Sequence, residues 1–213
     1  MATMFGTAFL IVGACVLSAK AVSGSSDGCL PETPPADGWN FLTEGTQYQM
    51  RKRNFIPPGG ENTRCLSSTP EEKDTSKYRV NAKIRFLTQG STSWQEITQK
   101  YQFSKASATD NYNIMNTTTD SAKPQASYEF IYTSQHCAVV IVRFLGPIDA
   151  APRTASQASD ETKSEEGTKC VLWVPEGKEE SEDPCCESLL ATKCGGKFDI
   201  IYDKRTCNSE TGL

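Results

Sequence analysis

Histidine occurs once in the 213 residues, at His136. A lone imidazole beside Cys137, itself expected in a disulfide, makes a poor general base, so no Ser-His-Asp or Cys-His arrangement can be argued. "CCES" and "GGKF" are neither nucleophile elbows nor phosphate loops, and no enzymatic activity or cofactor is expected. Metal ligands are also scarce. Zinc sites repeat Cys-x₂₋₄-Cys pairs or mix them with histidines, and this chain has no such repeat, so no metal site is expected. Clustered basic charge is missing too: the longest run is Arg51-Lys52-Arg53, too little to track a phosphate backbone. That tripeptide is expected on the solvated face or end of a strand, and nucleic acid is not an expected partner.

Long apolar runs are absent after the first twenty residues. The one at the start, Ala8 to Leu17, is shorter than the roughly 20 residues a spanning helix needs. It is followed by Ala19-Lys20-Ala21, the small-x-small pattern of a signal-peptidase site. Residues 1–21 are therefore expected to be a secretory signal, although no Lys or Arg precedes the apolar run. Removal after Ala21 also removes Lys20, taking the formal net charge from −4 to −5. Residues 22–213 are enough for a single domain with a sizeable core, expected to be extracellular, monomeric and without a membrane span.

Cysteine is what the chain has in quantity. Cys15 leaves with the leader, and eight remain, at 29, 65, 137, 170, 185, 186, 194 and 207. An even number in a secreted chain indicates a disulfide framework. Cys185 and Cys186 are adjacent, which disfavours a bridge between them, so their partners lie far off in sequence. "DPCCESLLATKC" carries helix signals as well. Asp183 is a natural N-cap, Pro184 is tolerated in the first turn, and Gly195-Gly196 stops the helix.

The rest of the chain reads as short strands between turns. "LPETPPADGWNFL" is turn-like or briefly helical, with Trp39 as its apolar anchor. "TQYQMRKRNFI" is strand-like, and "PPGGENTR" is a turn cluster ending at Cys65. The next strand signalled is "KYRVNAKIRFL", with Tyr78, Val80, Ala82, Ile84 and Phe86 on one face. "SWQEITQKYQF" places Ile97, Tyr101 and Phe103 together, and "SYEFIYT" does the same for Tyr128, Phe130 and Tyr132. "NYNIMNTTTD" is a shorter candidate whose Asn116-Thr117-Thr118 is an N-glycosylation sequon. "HCAVVIVRFL" and "KCVLWVP" are the most hydrophobic. Residues 146–169 carry no aromatic and much Ser, Thr and charge, as expected of a mobile polar loop, either a lid or a tolerated insertion. About seven strands followed by one helix suit a mainly β, lipocalin-like antiparallel barrel enclosing a cavity.

Four features together resemble the salivary lipocalins of ticks, the family that includes the histamine-binding proteins. They are a cysteine leading a hydrophobic strand ("CAVVIVRF"), a strand ending in Leu-Trp ("VLWV"), "CC" opening the C-terminal helix, and a last cysteine after "IIYDKRTC". The resemblance implies an eight-stranded barrel with the helix packed outside. It also implies the bridges Cys29–Cys185, Cys65–Cys207, Cys137–Cys186 and Cys170–Cys194. The amine-binding branch carries Cys-Asp and later Glu-Leu-Trp, whose carboxylates pair with a protonated amine. Here Cys137-Ala138-Val139 and Val171-Leu172-Trp173 stand in those places.

On the family's geometry Ala138, Val140 and Val142 face inward opposite Val171 and Trp173, and Arg143 points out. Tyr128 and Phe130 complete the expected ligand wall. An apolar wall gives an amine no counter-charge, whereas a lipid gains about 0.8 kcal/mol per buried methylene. The expected ligand is therefore a small hydrophobic mediator of fatty-acid or eicosanoid type. The alternatives are histamine or serotonin held by other carboxylates (Glu96, Glu129 or Asp110), or a complement-type host protein bound at the acidic surface segments.

Overall fold

A computed structural model describes residues 29, 36–58, 63–88, 90–106, 109–120, 124–146, 167–178 and 183–209. The expected leader, residues 1–21, lies outside the described residues, as does most of the polar loop, 147–166. Eight antiparallel strands form the barrel: β1 (Tyr48–Arg53), β2 (Thr63–Asp74), β3 (Arg79–Thr88), β4 (Gln95–Lys105), β5 (Tyr112–Thr117), β6 (Ala126–Thr133), β7 (Ala138–Leu145) and β8 (Cys170–Pro175). Each pairs with the next, and β8 pairs with β1, which also pairs with β2, so the sheet closes on itself. The fold is the eight-stranded lipocalin-like barrel. Among the described residues no helix is long and apolar enough to cross a membrane.

Alternation explains most of the strands. Val80 and Ala82 on β3, and Tyr101 and Phe103 on β4, are buried inside the barrel, while Lys83 and Arg85 face outward to Glu71 and Glu96. β7 and β8 are apolar on both faces because both faces are covered. Ala138, Val140, Val142 and Val171 look into the barrel. Val139, Leu172 and Val174 pack under the C-terminal helix α2 (Pro184–Leu189) with Leu189 and Leu190. Asp183 caps α2, its Oδ1 accepting from the Cys185 N–H at 3.0 Å. The helix then widens into a π-helical turn over Leu190–Cys194, so "CCESLLATKC" is not one uniform α-helix.

β2 was not signalled by the sequence. It is polar, contains Pro70, and shifts register at two places, between Arg64 and Ser67 and between Pro70 and Glu72. Proline removes a ladder donor and disguises a strand; here the sheet supplies what local propensity withholds. Tyr132 also departs from the expected face. A register shift between Phe130 and Tyr132 turns it out of the barrel and into the cluster beneath α2, where its hydroxyl donates to Asp183 Oδ2 at 3.2 Å.

The two barrel ends differ. At one end a short helix α1 (Gly38–Phe41) follows the N-cap Asp37. Its Trp39 seals the barrel edge-on against Tyr78 and Phe103, with ring centroids 5.3 and 5.5 Å away. Lys73 Nζ donates to the Trp39 and Leu42 carbonyl oxygens. At the other end β1 and β2 part. Their ladder covers Tyr48–Ser68 and Gln49–Ser67. Beyond it the C-terminal segment enters: the short strand β9 (Asp199–Ile200) pairs with Lys52 and Arg53. Ile201 then links both neighbours, accepting from the Cys65 N–H at 2.7 Å and donating to the Arg51 carbonyl at 3.0 Å. Cys65 has a left-handed backbone there, φ 55. A last helix, α3 (Lys204–Ser209), follows.

Disulfides join Cys29 to Cys185, Cys65 to Cys207, Cys137 to Cys186 and Cys170 to Cys194, with Cα–Cα distances of 5.2, 5.4, 6.5 and 6.0 Å. They tie the N-terminal segment, β2, β7 and β8 to α2, the π-helical turn and the tail. One group of candidate metal-ligand atoms occurs among the described residues, at Cys137, Asp183 and Cys186. Its two sulfurs are bonded to each other, so it is a disulfide beside a helix cap.

Candidate ligand-binding cavity

A cavity of about 170 Å³ occupies the barrel between the α1 seal and the far strand ends, where Pro57, Pro58, Thr63, Pro124 and Gly146 line it. Its wall includes Val140 and Val142 of β7, Val171 and Trp173 of β8, and Tyr128 and Phe130 of β6. Ala138, expected with them, is buried in the same interior cluster but does not line the cavity. It sits at the start of β7, opposite Trp173 in register, toward the sealed end. Met50, Ile84, Phe86 and Met115, which no functional signal singled out, also line the space.

Among the described residues no Asp or Glu lines the cavity. The three carboxylates considered as substitutes for the family's acids lie on the outer surface. Glu129 Oε2 accepts from Arg143 at 2.6 Å, Glu96 lies 3.7 Å from Arg85 and 3.8 Å from Lys83, and Asp110 lies 3.6 Å from Lys105. Each belongs to the outward parity of its strand or to a turn, so none reaches the interior. Asn116 of the sequon is on β5 opposite Gln102, next to the cavity-lining Met115, and so takes the outward parity.

The polar groups in the cavity are few. Gln99, buried, donates through Nε2 to the Pro124 carbonyl at 2.8 Å and accepts the Tyr101 hydroxyl hydrogen. Burial pushes the Tyr101 phenol well above its ordinary range and Tyr128 up to about 12, so both remain neutral donors at physiological pH.

Among the described residues that line the cavity, the sole cation is Arg53. Expected on a solvated face with its neighbours, it is instead only 3 % exposed. The cause is a register shift in β1 between Met50 and Lys52: Met50 pairs with Trp173, and Lys52 with the adjacent Leu172. Regular alternation from Tyr48 and Met50 would turn Lys52 inward. The shift moves parity by one residue, so Lys52 reaches out to Glu187 at 2.7 Å and Arg53 turns in. Nothing in "YQMRKR" marks the irregularity.

Comparison with known proteins agrees with this architecture. The model of the family described as tick histamine binding protein matches residues 31–145. Among solved structures, one similar chain is Japanin from Rhipicephalus appendiculatus bound to cholesterol, at TM-score 0.49 and 11 % identity, covering 78 % of this chain and 97 % of that one. Another is insecticyanin from the tobacco hornworm Manduca sexta, at TM-score 0.50 and 8 % identity, covering 83 % and 88 %. No curated protein matches the chain. The likeness to the first carries no argument at that score, and the likeness to the second, at 8 % identity, speaks only of the fold. The family match is of another kind, running through more than half of the chain from before α1 to the end of β7, and by it this chain belongs to the tick histamine-binding protein family.

Proposed function

We propose that the protein is a secreted carrier that sequesters a small, largely hydrocarbon host mediator of fatty-acid or eicosanoid type in its barrel, so blunting host defence. It holds the ligand stoichiometrically and does not convert it. One observation carries the reading: among the described residues the cavity wall contains Val140, Val142, Val171 and Trp173 but no carboxylate. A protonated amine entering this space leaves its hydration shell without gaining a counter-charge, a cost of several kcal/mol. A hydrocarbon chain gains about 0.8 kcal/mol for each methylene it buries. Secretion is consistent with the four disulfides, which persist in oxidising compartments.

Size places a condition on the ligand. At about 170 Å³ the space is close to the ~150 Å³ that takes up one benzene ring and below the roughly 300 Å³ at which drug-sized pockets begin. A longer chain must widen the cavity. Met50 and Met115 line it, and unbranched thioether side chains repack at low cost.

Calorimetric titration of the folded, oxidised protein with histamine, serotonin, arachidonate and a leukotriene tests the proposal. The expected result is saturable one-to-one uptake of the lipids with no amine response, weakened roughly tenfold in Trp173→Ala through lost apolar contact. Tight histamine binding would overturn it, and silence across the whole panel would shift the function to a protein partner at the surface.

A further inference from the structure

Arg53 is an anomaly of the cavity. A guanidinium carries five N–H donors and stays charged in proteins, and burying it is costly unless it is paired. Here it is 3 % exposed. Its described hydrogen bonds go to one residue: Nη1 donates to Thr63 Oγ1 at 2.7 Å and Nη2 to the Thr63 carbonyl at 3.3 Å. Its Nε–H is buried without an acceptor. Three N–H groups therefore remain for another partner. No described carboxylate forms an ion pair with it; Asp199 on β9 acts only through space and falls short of cancelling the effect of burial. On its β8 side the neighbour is hydrocarbon, since Arg53 pairs in register with Val171; on the other side it pairs with Asp199, an exposed residue of β9.

We propose that Arg53 is the head-group anchor of the cavity, so that the ligand is an apolar molecule ending in a carboxylate. The acid lies near the parting of β1 and β2, and the chain runs inward toward Phe130 and Trp173. This rests on the lipid-carrier reading and narrows it, because neutral lipids then bind less well than acids of the same length. A carboxylate supplies what the described partners do not: a negative charge in direct contact and two acceptor oxygens for the unused donors. Phosphate would supply the charge too, but a bare inorganic ion leaves the apolar wall empty. The competing view makes Arg53 a strut that closes the β1–β2 gap through Thr63. A strut has no preference between ligand head groups.

The test compares dodecanoate with dodecanol on the wild-type protein at neutral pH by calorimetry, then repeats both on Arg53→Lys and Arg53→Met. We expect the acid to bind roughly tenfold to a hundredfold more tightly than the alcohol, as charge-assisted hydrogen bonds imply. Arg53→Met should abolish the acid's preference over the alcohol, while Arg53→Lys, which keeps the charge and loses the fork, retains part of it. Equal wild-type affinities for acid and alcohol would overturn the anchor and leave the lipid-carrier reading standing. Failure of both probes would overturn both. The wild-type comparison decides even where Arg53→Met does not fold.

Discussion

Substitution Gly38→Ala probes the sealed end of the barrel and the cavity at once. A Cβ on Gly38 would lie 2.6 Å from Phe130 Cγ and 2.7 Å from Cε2, closer than carbon atoms approach without displacement. Phe130 is buried in the interior cluster and lines the cavity, so the ring can yield only by moving toward the cavity or by pushing α1 outward. Overpacking of this kind costs about 1–3 kcal/mol. Alanine recovers up to about 1 kcal/mol of helix propensity over glycine, less in a four-residue helix at its first position. The net expectation is a loss of about 1–2 kcal/mol in urea denaturation, followed through the fluorescence of the three tryptophans, Trp39, Trp94 and Trp173. Where the ring yields toward the cavity, dodecanoate affinity falls as well, since the displaced ring occupies ligand space. A variant as stable as the wild type, with unchanged ligand affinity, would refute both the close approach and the placement of Phe130 between seal and cavity.

Two further expectations concern the core and the staples. Tyr128 releases its proton near 10 when unfolded and at about 12 when folded. Between those values the unfolded chain holds fewer protons, so stability falls as pH rises, by up to about 1.4 kcal/mol per unit from this group. Tyr128→Phe should make the alkaline loss of stability shallower; an unchanged slope would show that Tyr128 is not protected from ionisation by burial. Replacing Cys170 and Cys194 together by alanine opens a bridge with a sequence separation of 24, for which loop-closure entropy gives about 3 kcal/mol. Chemical denaturation under oxidising conditions measures it, and a loss below about 1 kcal/mol would mean that the remaining bridges already restrict that loop in the unfolded chain.

Local pattern alone determined much of this protein. Val80, Ala82, Tyr101 and Phe103 alternate because a strand has two faces and only one is buried. The doubly apolar β7 and β8 announce strands covered on both sides, and Asp183-Pro184 starts the helix that covers them. Val140, Val142, Val171 and Trp173 face the cavity as their parity requires, and the missing acids at 138 and 171 are legible residue by residue. What tertiary structure decided depends on closure. β2 is held by its partner strands despite Pro70, so its own residues gave no signal. The irregularities in β1 and β6 each move parity by one residue, turning Arg53 into the barrel and Tyr132 out. The strand at Asp199–Ile200 occupies a gap that exists only because β1 and β2 part. Glu96, Glu129 and Asp110 find cations on the outer surface, beyond reach of the cavity. A period-two pattern fixes a face only while the register runs unbroken, and where it breaks is set by how eight strands meet to close a ring.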